Sequence, residues 1–199
     1  MLQSSYAPFG ISFNPKPVTR TVNDAWAAGT SDNAVDFQMR SALHAGGYNA
    51  LNIYLLDTLP GQLIGDCTFP SGVGTEFLGT PEFGVADSIL KGDGCRVMTG
   101  TVPGGTVTNY NLGMTAVHEV GHWFGLLHPF QGETCGGNGD FIDDTRNQST
   151  PTFGCPATKN SCPEVALPGE DAIHNYMDYS DDGWYVPLRF MAILYAEYH

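Results

Sequence analysis

Eleven consecutive residues constrain this chain more than any other part of it: His118-Glu119-Val120-Gly121-His122-Trp123-Phe124-Gly125-Leu126-Leu127-His128. On an α-helix, residues four apart are offset by only about 40° around the axis, so His118 and His122 stack on one face. Glu119 lies roughly 60° to the side of His122, close to whatever the two imidazoles hold. Val117, Val120 and Phe124 fall on the opposite face and should seat the helix in a core. Gly125 can take the left-handed conformation that stops a helix, and the turn brings His128 back as a third donor. Three neutral imidazoles and one water make a tetrahedral zinc site with an open position, which is the catalytic rather than the structural arrangement. Glu119 then stands where a general base on that water is needed. At background residue usage the whole pattern arises by chance in about one in 10⁵ chains of this length. His44, His174 and His199 read as structural by default.

The rest of the chain supplies one domain around that helix. Its 199 residues can bury a core, and 42% hydrophobic with 15% charged residues suits a globular fold. Asp32 or Ser31 caps a predicted helix to about Ala45, with Val35, Met39, Ala42 and Leu43 on one face. Asn49 to Asp57 reads as a strand buried on one side and partly on the other. Gln62 to Phe69 and Arg96 to Thr99 read as two more strands, and the zinc helix should run from Asn111 to Phe124. After His128 the periodicity disappears into a stretch dense in Gly, Pro, Asp and Cys. The expectation is an α+β fold: residues 1–128 carry a twisted mixed sheet and the active-site helix, and residues 129–199 form an irregular lobe pinned by disulfides.

Charge narrows the partners. With 8 Lys+Arg against 21 Asp+Glu the net charge is −13, which excludes a nucleic-acid backbone or an anionic membrane surface and leaves room for calcium. No apolar run is long enough to span a bilayer, and the N-terminus lacks the basic start and apolar run of a signal peptide. The five cysteines contain no C-x-x-C pair, so two disulfides and one odd thiol are expected, in an oxidising compartment. The sequon at Asn147 points weakly the same way.

Downstream, Asn175-Tyr176-Met177-Asp178-Tyr179 places a methionine after the long zinc motif, a pairing found in metzincins. At these residues the sequence resembles the pappalysin family of metzincin metalloproteases, especially the secreted fungal and microbial members. The likeness runs from Ser4 to Asp182 through SSYAPFGISF, GGYNALNIYLL, CTFP, NLGMTAVHEVGHWFGLLHPFQG, GCP, SCP and HNYMDYSDD. The resemblance implies a secreted, monomeric zinc endopeptidase of metzincin-like fold that takes a protein or peptide substrate in extended conformation. In it His118, His122 and His128 are zinc ligands, Glu119 is the general base, Met177 the Met-turn residue and Tyr179 the phenol that supports the oxyanion. It also implies calcium held near Asp140 and Thr145, with Asp143 and Asp144 as acidic neighbours. The substrate rim falls at Gly65 to Pro70. Disulfides Cys67–Cys95 and Cys135–Cys162 are implied, leaving Cys155 without a partner. Asp181 and Asp182 suggest an acidic specificity pocket for basic side chains. The ends depart from the family pattern: Met1 begins near the end of the family's first helix, and Gly183-Trp184-Tyr185-Val186 stands where a cysteine and a C-terminal helix are usual, with a helical tail expected from Pro187. Such ends read as a shortened chain, so the competing function is an inactive zinc-binding fragment serving as a binding module.

Overall fold

A computed structural model of the chain describes residues 1–70, 87–164 and 169–184; the tail from Pro187 lies outside them. Two one-turn helices come first, α1 (Leu2–Tyr6) and α2 (Asp24–Ala27). Helix α3 (Asn33–Leu43) starts where Asp32 accepts hydrogen bonds from the amides of Ala34 and Val35, satisfying two of the orphan donors of a helix start. Strands β1 (Ile53–Leu56) and β2 (Gly65–Cys67) follow, then helix α4 (Asp87–Gly92), strand β3 (Cys95–Met98) and helix α5 (Met114–Trp123). The three strands form one mixed sheet in the order β1-β3-β2. β1 runs parallel to β3 with Ile53 opposite Cys95, and β2 runs antiparallel with Gly65 opposite Val97.

Helices cover both faces of this sheet. On one side Val117 and Val120 of α5 bury against Tyr6 and Cys95, with Ile53 and Phe124 packed around them. The Tyr6 hydroxyl donates to the Val117 carbonyl at 2.8 Å, tying α1 to the zinc helix. On the other side Met39 of α3 packs with Tyr54, Leu56 and Leu59. The expected face of α3 holds at Met39 and Leu43, but Ala42 is exposed and Arg40 is buried instead. Arg40 can go inside because it pairs with Asp36 at 2.8 Å and donates to the Gly94 carbonyl at 2.7 Å. Arg96 of β3 completes the network, bonding Asp36 at 3.0 Å and Asp66 at 2.8 Å.

Helix α5 begins later than the periodicity suggests. Gly113 adopts φ 89°, a left-handed conformation that interrupts the helix at its start. Beyond Trp123, among the described residues, the chain has no further α-helix or strand, only a 3-10 turn at Asp182–Trp184. That lobe is organised by buried polar side chains: Gln148, Asp178 and Ser180 are fully buried, and Thr152, Asp171 and Asn175 nearly so. Asp178 accepts from the Thr152 amide at 2.8 Å and from the Gln148 side chain at 3.0 Å. The Arg146 guanidinium donates to the carbonyls of Cys162 and Gly169. Two disulfides are present, Cys67–Cys95 between β2 and β3 and Cys135–Cys162 within the lobe, while Cys155 is free and exposed.

Candidate metal centre

His118 and His122 project from one face of α5, and the chain then reverses at Gly125, φ 91°, to return His128. The three Nε2 atoms stand 3.0, 3.0 and 3.2 Å apart. Tetrahedral donors about 2.0–2.1 Å from a zinc ion stand roughly 3.3 Å from one another, so the triangle has the size zinc requires. Its orientation is set from behind. His118 Nδ1 lies 2.7 Å from the Tyr176 carbonyl and His122 Nδ1 lies 2.8 Å from the Leu126 carbonyl. A carbonyl can only accept, so both Nδ1 atoms carry the proton and both Nε2 lone pairs face the common centre. His128 is held by stacking on Phe130, ring centroids 4.7 Å apart and planes 8° apart. Burial lowers the pKa of all three rings, that of His128 to about 3, with the crowding of neighbouring imidazoles acting the same way on His118 and His128. Neutral imidazole is the form that binds a metal. Among the described residues this is the one group of three or more His, Cys, Asp or Glu gathered closely enough to hold a metal ion.

Glu119 is 5% exposed and lies against β2. Burial, with the Asp66 charge adding to it, raises its carboxyl to about 8. The Tyr179 hydroxyl stands 3.2 Å from His128 Nε2, at the mouth of the triangle. Burial raises its pKa as well, so it stays a donor at neutral pH. Met177 is buried beneath α5, in a turn fixed by the Asn175 side chain accepting from its amide at 2.9 Å. The turn fits because residue 121 is glycine: a Cβ there would stand 2.4 Å from Met177 Sδ.

Other predicted residues fall elsewhere. Asp140 and Thr145 are buried in one loop, while Asp143 and Asp144 point to solvent. Burial raises the Asp140 carboxyl to about 6, while the neighbouring Thr145 hydroxyl, buried beside it, acts in the opposite direction. The acidic pocket needs correction. Asp182 is 3% exposed, and its carboxylate accepts from the Leu112 amide at 2.7 Å and the Met114 amide at 3.5 Å. It is committed to the start of α5, where the exposed amides and the helix dipole favour an anion.

Comparison with known proteins agrees with this geometry. Residues 81–187 match the peptidase M43 family, described as pregnancy-associated plasma protein-A. The chain belongs to this family. As an M43 domain it is 47% identical over 185 residues to an extracellular metalloprotease of Pyricularia oryzae, covering 93% of this chain and 59% of that protein. It is 48% identical to an extracellular metalloprotease of Colletotrichum graminicola, covering 93% of this chain and 60% of the other. The chain thus spans about three-fifths of the length of these relatives. Among solved structures, mature mirolysin of Tannerella forsythia in complex with a cleaved peptide superposes with a TM-score of 0.57 at 30% identity, covering 78% of this chain and 55% of that one.

Several parts of this M43 site carry no sequence signal of their own. The carbonyls of Tyr176 and Leu126 act through backbone atoms, and Phe130 acts by stacking. Asp178 braces the turn of Met177 and Asp182 the helix start, although both lie inside the HNYMDYSDD stretch. That stretch was the available clue, but it does not say which carboxylate turns inward.

Proposed function

We propose that this M43 domain is a zinc-dependent endopeptidase of the extracellular space. What carries the reading is the triangle of Nε2 atoms, 3.0–3.2 Å apart with two of the rings oriented by carbonyls, beside a buried Glu119. A zinc ion held by His118, His122 and His128 would supply a positive charge that acidifies water and polarises a carbonyl. Glu119 takes the proton from the attacking water onto its carboxylate and delivers it to the departing amine nitrogen. Tyr179 donates its hydroxyl hydrogen to the carbonyl oxygen as negative charge builds there. Met177 serves as a floor under the imidazoles.

The substrate is a protein or peptide lying extended along β2, which among the described residues is the edge strand nearest Glu119. The mirolysin complex with a cleaved peptide and the extracellular names of the fungal relatives support both points. No helix among the described residues is long and apolar enough to cross a membrane. Residues 1–199 act as one monomeric catalytic unit, divided after His128 into the sheet-and-helix half and the lobe bearing the Met-turn. Calcium binds the loop of Asp140 and Thr145, where a buried carboxyl and a buried hydroxyl, both oxygen donors, lie together.

The test is cleavage of denatured casein by the purified chain, with and without a zinc chelator, beside Glu119→Gln. Chelator-sensitive cleavage that falls at least about 10³-fold in the variant, with zinc still bound, is expected. A chain that binds one zinc and cleaves nothing would instead be a binding module.

A further inference from the structure

We infer that Gly65 is a positioning residue for the catalytic base: the room left by its missing side chain is where the Glu119 carboxyl lies. The inference rests on the reading of Glu119 as the base. Glycine weakens a strand interior, and its usual reasons are a bulge, a special backbone conformation or the close approach of another group. The first does not apply, because Gly65 pairs with Val97, Asp66 with Arg96 and Cys67 with Cys95 in unbroken register. The second does not apply either, since Gly65 has a strand conformation outside the left-handed region and any L-residue could adopt it.

Close approach remains, and it has one source. A Cβ on residue 65 would stand 2.5 Å from Glu119 Oε1, 2.7 Å from Cγ and 2.8 Å from Cδ. Those are the three nearest atoms, and all belong to the base. The strand cannot back away. The Cys67–Cys95 disulfide ties β2 to β3 two residues further on, and Asp66, facing the opposite side, is clamped by Arg96 at 2.8 Å. Cys95 Sγ in turn lies 3.6 Å from the Glu119 carbonyl, so α5 packs directly on this disulfide. A methyl group at 65 therefore displaces the carboxyl rather than the strand. β2 has two duties on opposite faces: Asp66 joins the ion network under the sheet, and the bare Gly65 backbone forms a wall against which the base is set.

The experiment is a melting cycle on the metal-free protein with Gly65→Ala, Glu119→Ala and the double variant. Gly65→Ala is expected to lower the melting temperature where Glu119 is present and to leave it unchanged in the Glu119→Ala background, where Cγ, Cδ and Oε1 are gone. The same change in both backgrounds would overturn the inference, because the strand itself would then demand glycine. Kinetics give the second readout. Gly65→Ala should keep its bound zinc and its KM while kcat falls on the order of a hundredfold, as expected for a catalytic group moved by about 1 Å. An unchanged kcat in the folded, zinc-loaded variant would equally overturn it. The melting cycle needs no turnover, so a wild-type chain that cleaves nothing would refute the peptidase reading while the cycle still decides the role of Gly65.

Discussion

At the scale of single residues, this site depends on atoms that are absent as much as on those present. Gly121 has no side chain because Met177 Sδ occupies its place, 2.4 Å from where a Cβ would be. Gly121→Ala should push the Met-turn away from α5 and, through the Tyr176 carbonyl that orients His118, loosen the metal. Zinc affinity is expected to fall by roughly 10–100-fold, the range for disturbed partners of metal ligands. Titration against a competing chelator checks this, and trimming Met177 to alanine in the same chain should recover part of the loss. The glycine was visible in the motif, but its reason was not. Spacing on a helix says which residues share a face; it does not say what the neighbouring loop puts against that face.

At the scale of elements, the start of α5 and the edge strand are held by partners distant in sequence. Asp182 accepts from the Leu112 and Met114 amides, joining the segment after the Met-turn to the helix bearing two of the histidines. Asp182→Ala should destabilise the fold by about 1 kcal/mol, as for loss of a helix cap, measured by denaturant melting. Burial raises the Asp182 carboxyl, though the capping amides act in the opposite direction. Its folded pKa thus lies above its unfolded one, so the stability it supplies is complete below the ordinary carboxylate range and declines as pH rises through the raised value. Asp182→Asn should flatten that decline in a stability-versus-pH series; an unchanged slope would contradict it. The Cys67–Cys95 bridge closes a separation of 28 residues. Replacing both cysteines should cost about 3.6 kcal/mol on the chain-entropy estimate and lower kcat more than it lowers zinc content, because β2 is the wall for Glu119. Sequence periodicity placed α3, α5 and all three strands. It missed the one-turn helices and α4, whose few residues carry too little pattern to register.

At the scale of the whole molecule, segments before and after His128 meet at the candidate metal centre, so a zinc ion bound there should act as a brace for the fold. The sheet half supplies His118, His122 and Glu119, and the lobe supplies the carbonyl, methionine and phenol around them. The three Nε2 atoms converge within 3.0–3.2 Å, a crowding that a shared cation would relieve. Chelation should therefore lower the melting temperature, and added zinc should raise it with the logarithm of its concentration. His128→Ala should abolish that dependence. A zinc-independent melting curve for the wild-type chain would show that the triangle is not a metal site. The sequence by itself pointed to His118, His122 and Glu119 on one helix, because spacing on a 3.6-residue period places them together, and to His128 after the turn at Gly125; the family was legible in its motifs. Only the tertiary structure decided what surrounds them. Which carbonyls fix the imidazole tautomers, that Asp182 caps a helix instead of lining a pocket, and that Gly65 makes room for Glu119 all depend on segments dozens of residues apart coming into contact. The lobe after His128 was the least legible for the same reason: buried Gln148, Asp171, Asn175 and Asp178 hold it, and polar residues satisfied by one another leave no hydrophobic period to read.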